Sequence, residues 1–261
     1  MHPQTRVLHP TAFGTSGLWR ALRPRDLFEP ARRLVPWFAV IALVLALAGL
    51  HLGLIVAPPA QDQGDAFRIV FIHVPAAWMS LAIFVVMAAL SAATLAMRHR
   101  LAPILASALA PTGATFAFVT LWTGALWGRP TWGSWWAWDA RLTSALLLFL
   151  LYLAIIATQM AIEDIRRADR STAILSLVGV VNVPVVYFSV QWWNTLHQST
   201  GIALNVPAAS TAIAIAGTGL LTLACIAYAT AATLLRAQST ILERERRSPW
   251  ATHLRDSDAL E

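Results

Sequence analysis

The run Trp37–Ala57, WFAVIALVLALAGLHLGLIVA, holds 21 residues and no charge. As a helix it reaches about 30 Å, the thickness of a bilayer's hydrocarbon core, which takes roughly 20 residues. An arginine-rich stretch precedes it, so a cleaved export signal is the competing reading. Such signals have apolar cores of about 7–15 residues, and this run is longer. Arg32-Arg33 matches a twin-arginine signal poorly. The run is therefore read as a retained first membrane span, and that reading decides the class of fold.

Five more apolar runs follow. The expected spans are about 35–57, 69–97, 101–127, 140–162, 171–190 and 208–235. The whole chain is 57% hydrophobic and 12% charged, where a soluble domain carries about a quarter charged residues. Mean hydropathy is +0.61. The expectation is an all-α polytopic membrane protein with six transmembrane helices, both termini cytoplasmic and a tryptophan-rich outward loop. Residues 1–34 read as an N-terminal tail, 35–235 as the membrane domain and 236–261 as a C-terminal tail. The charged ending ERERRSPWATHLRDSDALE has no apolar face and reads as solvated chain without fixed structure. There is no internal repeat.

Orientation follows from charge. All 19 basic residues counted as lysine or arginine are arginine. Sixteen lie in the tails and in the loops after the second and fourth spans. Only Arg68, Arg129 and Arg141 lie on the other side. The positive-inside rule then places both termini in the cytoplasm. The loops 58–68, 128–139 and 191–207 face outward, which in a Gram-negative cell is the periplasm. The net charge of +6 does not indicate nucleic acid, because the arginines track membrane edges rather than one soluble face. Cys225 is the only cysteine, which excludes an intrachain disulfide, a CxxC redox pair and a c-type haem attachment motif in this chain.

Chemistry concentrates in the outward loops. Leu126–Arg141, LWGRPTWGSWWAWDAR, carries Trp127, Trp132, Trp135, Trp136 and Trp138, and Trp192 and Trp193 sit in the third loop. Seven of 12 tryptophans are thus on one side, whereas an aromatic belt decorates both interfaces. If 132–139 is helical, Trp132, Trp135, Trp136 and Asp139 share one face at i, i+3, i+4 and i+7. That would be a flat apolar shelf, suited to a large flat apolar ligand. His73, in FRIVFIHVPAAWMS, and His197, in QWWNTLHQSTG, lie on either side of it. Neutral imidazole is a ready iron ligand, and haem offers two axial positions. Haem propionates would call for arginine forks, for which Arg68 and Arg141 are candidates, with Arg129 better read as an interface anchor. Asp139 can accept from an indole, pair with Arg141 or cap the fourth span. The pairing requires the two histidines to converge in space. Three other readings stay open: a b-type electron-transfer subunit, a haem-export permease and a structural scaffold.

The residues resemble a family. WGRPTWGSWWAWDARLTS is similar to the WWD signature of haem-handling proteins of cytochrome c biogenesis. RIVFIHVPAAW and QWWNTLHQSTG resemble the two histidine segments that flank it in the CcmC family, haem exporter protein C. The likeness covers about residues 35–235. Related WWD proteins, CcmF and the CcsA/CcsB synthetases, are longer or carry additional domains. The resemblance implies a multi-pass inner-membrane protein, not an enzyme, that binds haem b at the periplasmic face. It implies His73 and His197 as axial ligands, with Trp127, Trp132, Trp135, Trp136, Trp138, Asp139, Arg68 and Arg141 completing the site. It also implies delivery of haem to the chaperone CcmE, and work beside CcmD and the ABC transporter proteins CcmA and CcmB. This chain has no G-x-x-x-x-G-K-[ST] motif, so the ATPase role falls to a partner.

Overall fold

The protein is described by a computed structural model covering residues 23–60, 63–97, 99–197 and 208–252. Seven α-helices follow in order: α1 Pro24–Leu50, α2 Val70–Met97, α3 Ala102–Trp132, α4 Ala140–Ala161, α5 Ile165–Gly179, α6 Asn182–Trp192 and α7 Ala208–Arg244. They make six segments long and apolar enough to cross a membrane, α5 and α6 together forming the fifth. Among the described residues there is no β-strand, only an isolated bridge between Ala60 and Gly64.

The spans exceed their sequence-based limits at several ends. α1 starts at Pro24 rather than 35, with proline in its first turn, where a missing N–H costs nothing. α3 runs to Trp132, five residues past the expected end. The C-terminal segment is not free chain as far as it is described: α7 continues to Arg244. Beyond it, the Trp250 ring meets Phe28 edge-on at 5.7 Å and Ala251 is buried. Periodicity does not reveal this because the contact is one indole against another helix, not an amphipathic stripe. The remainder of that tail, 253–261, the N-terminal 1–22 and most of the third outward loop, 198–207, lie outside the described residues.

The core lies where α2, α3 and α4 meet. Ala110, Ala114 and Ala117 of α3 pack against Met79, Ile83, Phe84 and Met87 of α2. Without a hydrophobic drive between helices in lipid, small residues that let backbones approach carry the association. Tyr152 of α4 locks the arrangement. It is fully buried, its hydroxyl donates to the Ser80 carbonyl at 2.6 Å, and its ring meets Phe84 edge-on at 5.0 Å. Gly113 makes room for it, since a Cβ there would fall 2.2 Å from the ring.

At the end of the bundle that holds the start of α2, Phe71 joins α1, α2 and α7. Its buried ring fills the space that Cβ atoms on Gly53 and Gly217 would occupy, at 2.5 and 2.8 Å. Before it, α1 ends in a π-helical turn, His51–Val56, followed by Pro58 and Pro59. Prolines offer no N–H to the last carbonyls. Arg68 supplies donors instead, to Leu54 O at 2.5 Å and Gly53 O at 3.4 Å, while its Nε donates to Asp65 at 2.9 Å. At the opposite end, Arg244 of α7 grips Asp169 of α5 with two bonds, at 2.7 and 2.8 Å.

Substituting Gly113→Ala forces Tyr152 to move. Overpacking of this kind costs about 1–3 kcal/mol, and the expected outcome is a lower thermal unfolding temperature in detergent. An unchanged melting curve would show that the α3–α4 contact is not close-packed.

Candidate functional site

The site forms where the first turn of α2 meets the last turns of α3. His73 lies in the first turn of α2 and is buried. α3 passes behind it, and Thr123, Gly124 and Trp127 share the facing side at one-turn spacing. The Thr123 hydroxyl is 3.0 Å from His73 Nδ1. Trp127 meets the imidazole edge-on at 5.7 Å, and its indole N–H is held by Gln63 Oε1 at 2.8 Å. A Cβ on Gly124 would stand 3.2 Å from His73 Cε1, so glycine sets how closely the helix can back the ring.

His197 arrives from the loop after α6. Its ring centroid is 6.2 Å from that of His73, with the planes 31° apart. Trp132 flanks it at 6.0 Å. The two histidines, 124 positions apart in the chain, therefore converge. Beside them lies a partly open pocket of about 80 Å³. His73, His197, Trp127, Trp132, Trp136 and Arg141 line it. Ala77, Ser80 and Leu148 lie deeper in its wall.

The shelf differs from the helical face expected from spacing. α3 stops at Trp132, and 133–139 is not helical. Gly133 takes φ +79°, the left-handed cap, and its N–H returns to the Arg129 carbonyl at 3.1 Å. Only glycine reaches that conformation without strain. A helix continuing to 139 would also leave the next span no room to reverse direction. Trp132, Trp135, Trp136 and Asp139 thus do not share a helix face. Trp127 and Trp132 come from the last turns of α3, and Trp136 lines the cavity from the loop. Trp135 and Trp138 are 56% and 78% exposed, as are Trp192 and Trp193 at 57% and 51%.

Asp139 organises the loop. One carboxylate oxygen caps α4 by accepting from Leu142 N at 2.8 Å, and the other accepts from Leu196 N at 3.1 Å. A single side chain thus ties the tryptophan segment to the residue before His197. The cap is one of the three roles the sequence offers Asp139; the bond to Leu196 is none of them. Arg141 crosses to α6, donating to Val186 O at 2.6 Å and Tyr187 O at 3.3 Å, and still borders the cavity. Arg68 does not line it; its guanidinium serves the end of α1. Arg129 is exposed and donates to the Gly133 carbonyl.

The residues fit haem as cargo. A metal–imidazole bond of about 2 Å, with each ring centroid about 1 Å behind its nitrogen, separates two such rings by about 6 Å across one metal. The observed 6.2 Å agrees. The Trp136 indole N–H is buried without a partner, which leaves an unspent donor in the wall that Arg141 also lines. Buried donors are rarely left so, and a propionate carboxylate would supply the missing acceptor. Sequence reasoning did not identify Thr123, Gly124 or Gln63. The spacing of Thr123 four positions before Trp127 was the available signal.

Asp139→Ala should cost about 1 kcal/mol through the lost cap and free the loop before His197. Hydrogen exchange would show it as faster exchange at Leu196 with the middle of α3 unchanged. Unchanged protection at Leu196 would mean the loop is held by other contacts.

Comparison with known proteins agrees with this arrangement. A family model described as Heme exporter protein C matches residues 18–252. Heme exporter protein C of Bradyrhizobium diazoefficiens is 48% identical over 183 residues, covering 68% of this chain and 69% of the relative. That of Escherichia coli K12 is 40% identical over 243 residues, covering 91% and 97%. That of Haemophilus influenzae is 38% identical over 245 residues, covering 91% and 98%. A match of this extent, on a chain whose two motif histidines meet beside the tryptophan loop, places the protein in the haem exporter protein C family.

Proposed function

We propose that the protein binds haem b between His73 and His197 at the periplasmic face of the inner membrane and delivers it to the chaperone CcmE for cytochrome c maturation. The observation that carries this reading is the convergence of the two imidazoles at a spacing suited to one iron. The names of the relatives support haem as the cargo. Arg141 and the Trp136 N–H are placed to receive propionates. When bound, haem supplies the iron that both imidazoles hold; the chain's own work is to orient, shield and release.

The shape of the site supports delivery rather than storage. The pocket volume is about 80 Å³, far below the 300 Å³ or more of a pocket that buries a whole ligand. A porphyrin held here keeps part of its plate outside the pocket, where a partner can reach it. Trp135 and Trp138, exposed on the same loop as Trp136, would form the docking face for CcmE. CcmD, with CcmA and CcmB providing ATP hydrolysis, would complete the machinery. The periplasmic orientation rests on the arginine imbalance, since the site is at the arginine-poor end of the bundle. A b-type electron-transfer role fits less well, because both histidines lie at one end. A haem pathway through the chain meets the buried Phe84–Tyr152 pair below the site.

Purification of wild type, His73→Ala and His197→Ala, each co-expressed with the partner proteins, tests the proposal. Haem content should fall roughly tenfold or more in each variant, by analogy with the 10–100-fold losses seen when ligand support is removed. CcmE should remain unloaded in both. Wild-type haem content in either variant would remove that histidine as a ligand.

A further inference from the structure

The hydrogen-bond pattern around Thr123 fixes a property of His73 that the ligand assignment alone leaves open. Thr123 Oγ1 stands 3.0 Å from His73 Nδ1. The same hydroxyl lies 2.6 Å from the Val119 carbonyl, four residues earlier on α3, with a longer approach of 3.3 Å to Thr120 O. A hydroxyl has one hydrogen. Carbonyls can only accept, so that hydrogen is spent within the helix. The Thr123 oxygen then offers the imidazole only lone pairs, and Nδ1 must be the donor.

A neutral imidazole carries one N–H. With it on Nδ1, the lone pair is on Nε2. The rest of the cradle keeps this arrangement. Gly124 lets the backbone of α3 sit against Cε1, which restrains a ring flip. Gln63 holds the Trp127 N–H, so that indole does not compete for an imidazole nitrogen. We infer that Thr123 is a positioning residue: it locks His73 in the Nδ1–H tautomer and presents Nε2 as the lone-pair donor for iron. The tautomer stands by itself; its use toward iron rests on the proposed function. In bound haem, the Nδ1–H···Oγ1 bond would also raise the basicity of the ligand.

The test uses the full chain in nanodiscs, free of haem and then reconstituted with it. Nitrogen-15 NMR of histidine-labelled protein, with His73 assigned by its loss in His73→Ala, should show His73 protonated on Nδ1 before haem is added. Thr123→Ser should keep that state. Thr123→Val, which keeps the shape and removes the acceptor, should shift His73 toward the Nε2–H form. On reconstitution Thr123→Val should bind haem 10–100-fold more weakly with a more positive midpoint potential, and Thr123→Ser should resemble wild type. A wild-type His73 protonated on Nε2, or a tautomer unmoved by Thr123→Val, overturns the inference. A tautomer as expected in a wild type that binds no haem would instead overturn the haem reading and, with it, the part of this inference that concerns iron.

Discussion

The close approach of α2 and α3 is the constraint from which the site follows. In lipid, two helices gain little from burying apolar surface against each other, and contact depends on backbones coming near. Alanines and glycines of α3 provide that nearness from Ala110 to Gly124. Deep in the bundle the space is filled by Tyr152 and Phe84. One leaflet outward, the same closeness places Thr123, Gly124 and Trp127 against the ring of His73. The imidazole is thereby oriented by a rigid helix rather than by a loop, which gives a ligand position little freedom to drift.

The second histidine is held differently. His197 sits on a loop, secured through its neighbour Leu196 to Asp139. That contrast between a helix-mounted imidazole and a loop-mounted one suits a site that must both hold and let go. The same asymmetry explains the short, two-faced tryptophan loop. Trp132 and Trp136 turn to the cavity, while Trp135 and Trp138 face out.

Much of this was legible in the chain. Uninterrupted apolar runs gave all six spans, because length and lack of charge are direct consequences of the hydrocarbon core. The arginine count separated the two ends. The histidines and tryptophans stood out as costly residues in unexpected places. What was not legible depended on three-dimensional closure. The i, i+3, i+4, i+7 spacing makes a one-faced shelf only if 132–139 is helical, yet Gly133 ends α3 and the chain must reverse. Arg68 read as a propionate partner by its position beside His73, but the carbonyls left by Pro58 and Pro59 claim its guanidinium. Thr123 looked like one more small residue of a span, since nothing local reveals that a residue 50 positions away will face it. The C-terminal segment read as solvated, and one indole against Phe28 fastens part of it.

The central claim is that one iron is held by both imidazoles. Electron paramagnetic resonance of the oxidised, haem-loaded wild-type protein tests it most directly, because it reports the axial ligands themselves. One iron held by both imidazoles gives a low-spin ferric spectrum of the bis-imidazole type. A high-spin spectrum, as from an iron with a single histidine or none, would contradict it.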